Sequence, residues 1–316
     1  MQHETENRFG GISIKTYWFF AIASTLLFAC FALQLWFHAT RTSATVDEPN
    51  HILSGHRHWQ CGDFGINPEH PPLLKLLATA PLNFRELSEP PWDCGSKFTS
   101  KFDAYTYGST FLVENGMDRV VITTRLAASL MSLLLALLVF LAAWEMFGRW
   151  EALTALAILA FEPNLIAHGS TVLTDMALSA TAFAAVYALY RFGKDQTWVR
   201  FLIAGLAFGL MLSAKHSAVI FVAILFVLLI ADTLLFRRTE TRVVNQVFRR
   251  IAAFVGIFAI GLAILWSFYG FRYRAIPNES APKISVADYI KENGRLISWD
   301  RSIFSKEYEP RKPPSL

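Results

Sequence analysis

Long unbroken apolar runs constrain this chain more than any other feature. Val120 to Phe147 holds Glu145 and Arg125 as its only charges, and comparable runs cover Tyr17 to His38 and Ile251 to Phe268. A run of about 20 apolar residues crosses roughly 30 Å of hydrocarbon as helix. The runs are continuous, not alternating, which excludes the strands of a membrane barrel. The sequence is 53% hydrophobic and 17% charged, outside the range of an ordinary soluble domain. It is therefore expected to be an all-α integral membrane protein.

Seven spans are expected: Tyr17 to His38, Val120 to Phe147, Glu151 to about His168, Asp175 to Phe192, Val199 to Ser213, Ser217 to Phe236, and Ile251 to Phe268. The third is irregular at Glu162-Pro163. Residues 39–119 form a long polar loop in which Pro72 to Ala80 reads as a short helix lying in the interface. A polar segment, 271–316, follows a membrane module covering 1–270. Segment 237–250 carries five arginines, and residues 191–200 carry Arg191, Lys194 and Arg200. Placing both inside puts the amino terminus in the cytoplasm and the long loop outside. The net charge of +4 then reports topology, not a nucleic-acid partner. Cys61 and Cys94 share the outer loop, where a disulfide persists, whereas Cys30 sits in the first run.

The densest chemistry lies just after the first span, in VDEPNHILSGHRHWQCGDFGINPEHPPLLKLL. It holds Asp47, Glu48, His51, His56, His58, His70 and Lys75. With the topology above, Arg125, Glu162, His168, Asp175, Lys215 and His216 reach the same face. Ionisable groups at a membrane are costly unless they meet water, a partner or a substrate. Each also has a plainer reading. Asp47 and Glu48 stand before Pro49 at a helix start, where either serves equally as a cap. Asp175 begins a helix, Lys75 reads equally as snorkelling, Arg125 and Lys215 as interfacial anchors, and His56 and His58 as solvated. His51, one turn beyond Asp47, is placed to hydrogen-bond it. No HExxH or similar spacing indicates a metal, and no cofactor is expected.

In order, the Asp47-Glu48 pair, GDFGINPEHPPLLKLL, TTRLAASLMSLLL around Arg125, EPNLIAHGSTVLTDMAL and GLAFGLMLSAKHSAV resemble the polytopic GT-C-type glycosyltransferases. These include the protein O-mannosyltransferases and the lipid A aminoarabinose transferases. The resemblance spans about residues 17 to 270 and implies a multi-span helical bundle in a bacterial inner or plasma membrane. It implies inverting transfer of a sugar from a polyprenyl-phosphate donor to a protein, lipid or glycan hydroxyl outside the cytoplasm; the alternatives are a non-catalytic relative that binds lipid-linked sugar or assists another protein, and a transporter component, against which the gathering of charges at the outer ends counts. For the transfer, Asp47 is the general base, with Glu48 and Asp175 as neighbouring acids. Asp175 orients the acceptor, or holds a metal in members that use one. Lys75, Arg125 and Lys215 receive the donor phosphate, and His51, His70 and His168 support the substrates. Family members usually continue with further spans and an extracytoplasmic domain, whereas this sequence stops after seven.

Overall fold

The computed structural model describes residues 14–88, 101–235 and 243–272, which all fall within one compact unit. The described residues form helices and no strands. Helix α1 (Ile14–Arg41) leads into the long loop. The loop carries α2 (Glu48–Cys61), α3 (Leu73–Thr79), a 3₁₀ turn (Ala80–Phe84) and α4 (Lys101–Glu114). The bundle continues through α5 (Met117–Met146), α6 (Arg149–Ala160), α7 (Pro163–Gly169), α8 (Thr174–Lys194), α9 (Trp198–Leu212), α10 (Ala218–Leu235) and α11 (Val243–Phe268).

Helices α1, α5 and α11 are long and apolar enough to cross a membrane. Helices α6 and α7 make a fourth span if taken together, bent by 63° at the break. The irregular third span has a local cause. The Glu162 carboxylate accepts from the backbone N–H of Leu165 at 2.7 Å. Pro163 opens the new helix with no donor of its own, a position that suits it. The fourth, fifth and sixth expected spans correspond to α8, α9 and α10. At 15 residues α9 rises only about 22 Å, less than the hydrocarbon thickness.

Small residues let the helices approach. A Cβ built on Gly205 would lie 2.7 Å from Ile260, and one on Gly209 2.6 Å from Ile264. Helices α9 and α11 therefore meet nearly backbone to backbone. Phe31, Leu35, Phe140 and Leu156 bury the contact among α1, α5 and α6. Ile52, Leu74, Phe111, Val121, Val172 and Ala177 form a further core, where the loop helices seat on α5 and α8.

That core depends on two glycines. A Cβ on Gly55 would overlap the Lys75 carbonyl, and one on Gly108 would come within 2.5 Å of the Pro49 carbonyl. Helix α2 is thus wedged between α3 and α4. His56 and His58, expected in solvent, are buried for that reason, at 1% and 5% exposure. Helix α3 also packs inward, with Leu74, Lys75 and Ala78 buried. Beyond α2, Arg272 at the end of α11 donates to the Gly62 carbonyl at 2.7 Å and lies over the Phe64 ring.

These contacts gather the far ends of α1, α9 and α11, the starts of α5 and α8, and the loop helices at one end of the bundle. The opposite end holds Glu145 with Tyr187, Arg191 and Lys194, and Arg200 with Asp195.

Candidate active site

The anchor of the polar end is a buried ion pair. Arg125, about two turns into α5, donates from Nε to Glu48 Oε1 at 2.7 Å and from Nη2 to Oε2 at 2.6 Å. Both side chains are fully buried. Its remaining N–H groups go to the carbonyls of Ala39, Thr42 and Ser43 and to the Thr42 hydroxyl, at 2.8 to 3.2 Å. Glu48 also accepts from the backbone N–H groups of Thr45 and Val172, at 2.7 and 3.0 Å. Burial pushes the Glu48 carboxyl up, but these hydrogen bonds outweigh it and hold it below its usual value. The pair ties the end of α1, the start of α2, α5 and the entry to α8. Every Arg125 nitrogen donates within the chain. The donors of Arg125, the arginine expected at the donor phosphate, are thus occupied within the chain, with Glu48 as its counter-ion.

Asp47 stands next to this ion pair and is exposed. It occupies the position before α2 yet makes no side-chain capping bond, which removes the plain capping reading. Its Oδ1 accepts instead from the Tyr105 hydroxyl of α4 at 2.8 Å. Burial, with the hydrogen bond and charge of Asp47, pushes the Tyr105 phenol up to about 12. Asn50 is hydrogen-bonded to the same phenol.

The segment between α2 and α3 continues the polar rim. His51 is within α2, and its backbone N–H bonds the Asp47 carbonyl. Its ring lies 3.4 Å from the Asn67 amide and 5.2 Å, centroid to centroid, from His70. These contacts join the His51 ring to the 67–70 segment. Lys75 is almost completely buried and donates to the carbonyls of Asn67 and His70 at 2.8 and 2.7 Å. Burial lowers its pKa to about 7. Lys75 therefore folds the 67–70 segment over the site; it neither snorkels nor presents its charge to solvent. His70 titrates below its ordinary value, first through burial and then through the charges of Lys75 and Lys215.

Asp175, at the start of α8, pairs with Lys215 beyond α9 at 2.5 Å, with both side chains reaching solvent. The neighbouring His216 ring lies 3.2 Å from the Pro68 carbonyl. Lys215 and His216 thus adjoin the same 67–70 segment that Lys75 holds. His168 is exposed at the end of α7, apart from this cluster of hydrogen bonds. Cys61 is in a disulfide and Cys30 is free, whereas Cys94 lies outside the described residues. Among the described residues, no three His, Cys, Asp or Glu side chains come together to hold a metal.

Sequence reasoning missed Tyr105, Asn67 and Gly108. A signal for α4 was present: Ala104, Gly108, Phe111 and Leu112 are buried at helical spacing within KFDAYTYGSTFLVE.

Comparison with known proteins agrees with this architecture. Residues 112–267 match the family model described as dolichyl-phosphate-mannose-protein mannosyltransferase. The match covers α5 to α11 and leaves most of the first loop outside. The fold is also similar to a chain of the Saccharomyces cerevisiae protein O-mannosyltransferase Pmt1-Pmt2 complex bound to the sugar donor. The TM-score is 0.58 with 16% identity, over 85% of this chain and 35% of the yeast chain. No curated protein sequence matches. The chain is an integral membrane protein with the GT-C-type glycosyltransferase fold. It spans about a third of the length of the yeast chain it resembles.

Proposed function

We propose that this protein transfers a sugar from a polyprenyl-phosphate donor to an acceptor hydroxyl on the extracytoplasmic face of the membrane. The observation that carries this reading is Asp47: an exposed carboxylate, without capping duty, fixed beside a buried ion pair at the end of the bundle that holds Lys215, His70 and His216. A base in that position accepts the acceptor hydroxyl's proton as its oxygen attacks the anomeric carbon. The bond from that carbon to the phosphate oxygen breaks on the opposite side, with inversion. Negative charge grows on the departing lipid phosphate. Cations fixed at that point stabilise it without reorganisation.

Lys215, with His70 and His216 beside it, is the group for that role. Its ammonium reaches solvent, whereas the charges of Lys75 and Arg125 are committed inside the fold. Asp175 holds Lys215 until a phosphate replaces it and is then released to orient the acceptor. The basic residues at the other end of the bundle, Arg191, Lys194 and Arg200, support placing that end in the cytoplasm.

The test is direct. The full chain in nanodiscs is given radiolabelled polyprenyl-phosphate mannose with membrane extract as acceptor. Transfer of label out of the lipid fraction is expected. A donor left intact, whether or not it is bound, overturns the proposal.

A further inference from the structure

We propose that Tyr105 is a positioning residue for this reaction: its hydroxyl holds Oδ1 of Asp47 and leaves Oδ2 as the atom that takes the acceptor's proton. The inference rests on the reading of Asp47 as the base.

The contact follows from how α4 is seated. Gly108 lies so close to the first turn of α2 that an added Cβ would be 2.5 Å from the Pro49 carbonyl and 3.0 Å from the Asn50 nitrogen. Tyr105 is three residues earlier and so shares that face of α4. Its side chain therefore reaches the residue just ahead of α2, which is Asp47, at 2.8 Å. Asn50, in the same first turn, also bonds the phenol.

Two simpler roles fit less well. Burial and the adjacent carboxylate keep the phenol protonated at neutral pH, so it donates and does not serve as a base. A stability role is weak because Asp47 is exposed, and water satisfies an exposed carboxylate nearly as well. What the bond does supply is orientation. Glu48 is fixed by five hydrogen bonds. Asp47 makes no capping bond to fix it, and a base must stand within hydrogen-bond reach of the proton it takes.

The experiment measures transfer from radiolabelled polyprenyl-phosphate mannose by the full chain carrying Tyr105→Phe, Asp47→Asn, both changes, or Gly108→Ala. Tyr105→Phe is expected to lower kcat roughly tenfold to a hundredfold, the rate equivalent of one hydrogen bond to a charged group. The donor KM and the melting temperature should stay at their wild-type values. In the Asp47→Asn background the same change should have no further effect. Gly108→Ala retains the hydroxyl but lifts α4 from α2, and it should lower kcat in the same direction. Wild-type kcat in Tyr105→Phe beside an inactive Asp47→Asn overturns the positioning role alone. So does an equal loss in both backgrounds. An active Asp47→Asn, or a wild type that leaves the donor intact, overturns the base reading and this inference with it.

Discussion

Replacing Arg125 by glutamine separates a structural clamp from a phosphate-binding residue. The change removes both hydrogen bonds that Arg125 makes to Glu48 and leaves three carbonyls, of Ala39, Thr42 and Ser43, without their donors. Glu48 remains a fully buried carboxylate with only Thr45 and Val172 to satisfy it. Removing one partner of a buried ion pair costs about 3–5 kcal/mol. The double variant Glu48→Gln with Arg125→Met leaves no orphaned charge and should recover part of that loss. Thermal unfolding of the detergent-solubilised chain, followed by tryptophan fluorescence, measures both. The pair also sets an acid limit. The folded state holds the Glu48 carboxyl below its ordinary value of 4.5, so the stability it contributes is complete above that pH. It is lost as pH falls through the lower folded value, and Arg125→Gln should not show this loss. An Arg125→Gln chain that melts like wild type but binds donor weakly would refute the clamp and return the arginine to the phosphate.

Lys75 gives a different pH dependence. Its folded pKa of about 7 lies below the ordinary 10.5, so the unfolded chain binds the extra proton between those values. Stability should rise with pH from about 7 to 10, and Lys75→Met should flatten that slope in denaturation curves measured across the range. Gly55→Ala forces a methyl onto the Lys75 carbonyl. Overpacking of this kind costs about 1–3 kcal/mol, measurable as a lower unfolding midpoint. A Cys61–Cys94 bridge would close a loop of about thirty residues and contribute about 4 kcal/mol. Non-reduced peptide mapping should recover the two cysteines in one linked species, and a free Cys94 thiol would exclude the pairing.

The membrane class and the helical bundle were legible because they depend on composition and run length, which no tertiary contact overrides. The break at Glu162-Pro163 was legible for a local reason, since proline and a capping carboxylate act within one turn. The convergence of Asp47, His70, Asp175 and Lys215 on one end followed from topology. The division of labour among the charges was not legible. Arg125 and Lys75 looked like free cations because a sequence does not show that the carbonyls of residues 39–43 and 67–70 fold back onto them. Burial of His56 and His58 likewise depends on Gly55 and Gly108, whose partners Lys75 and Pro49 are distant along the chain. Short-range pattern carries no information about such contacts.

The central claim is that Asp47 is the base, and Asp47→Asn tests it most directly. Asparagine keeps the size of the side chain and can still accept from Tyr105, but it does not take a proton. Since Asp47 makes no capping bond, the variant should fold and bind polyprenyl-phosphate mannose as wild type does. Its turnover of bound donor, measured by single-turnover transfer of label, should fall by about two to four orders of magnitude, the usual contribution of a positioned base. Asp47→Asn turning over at the wild-type rate, with Asp175→Asn inactive beside it, would move the base to the start of α8 and contradict the account.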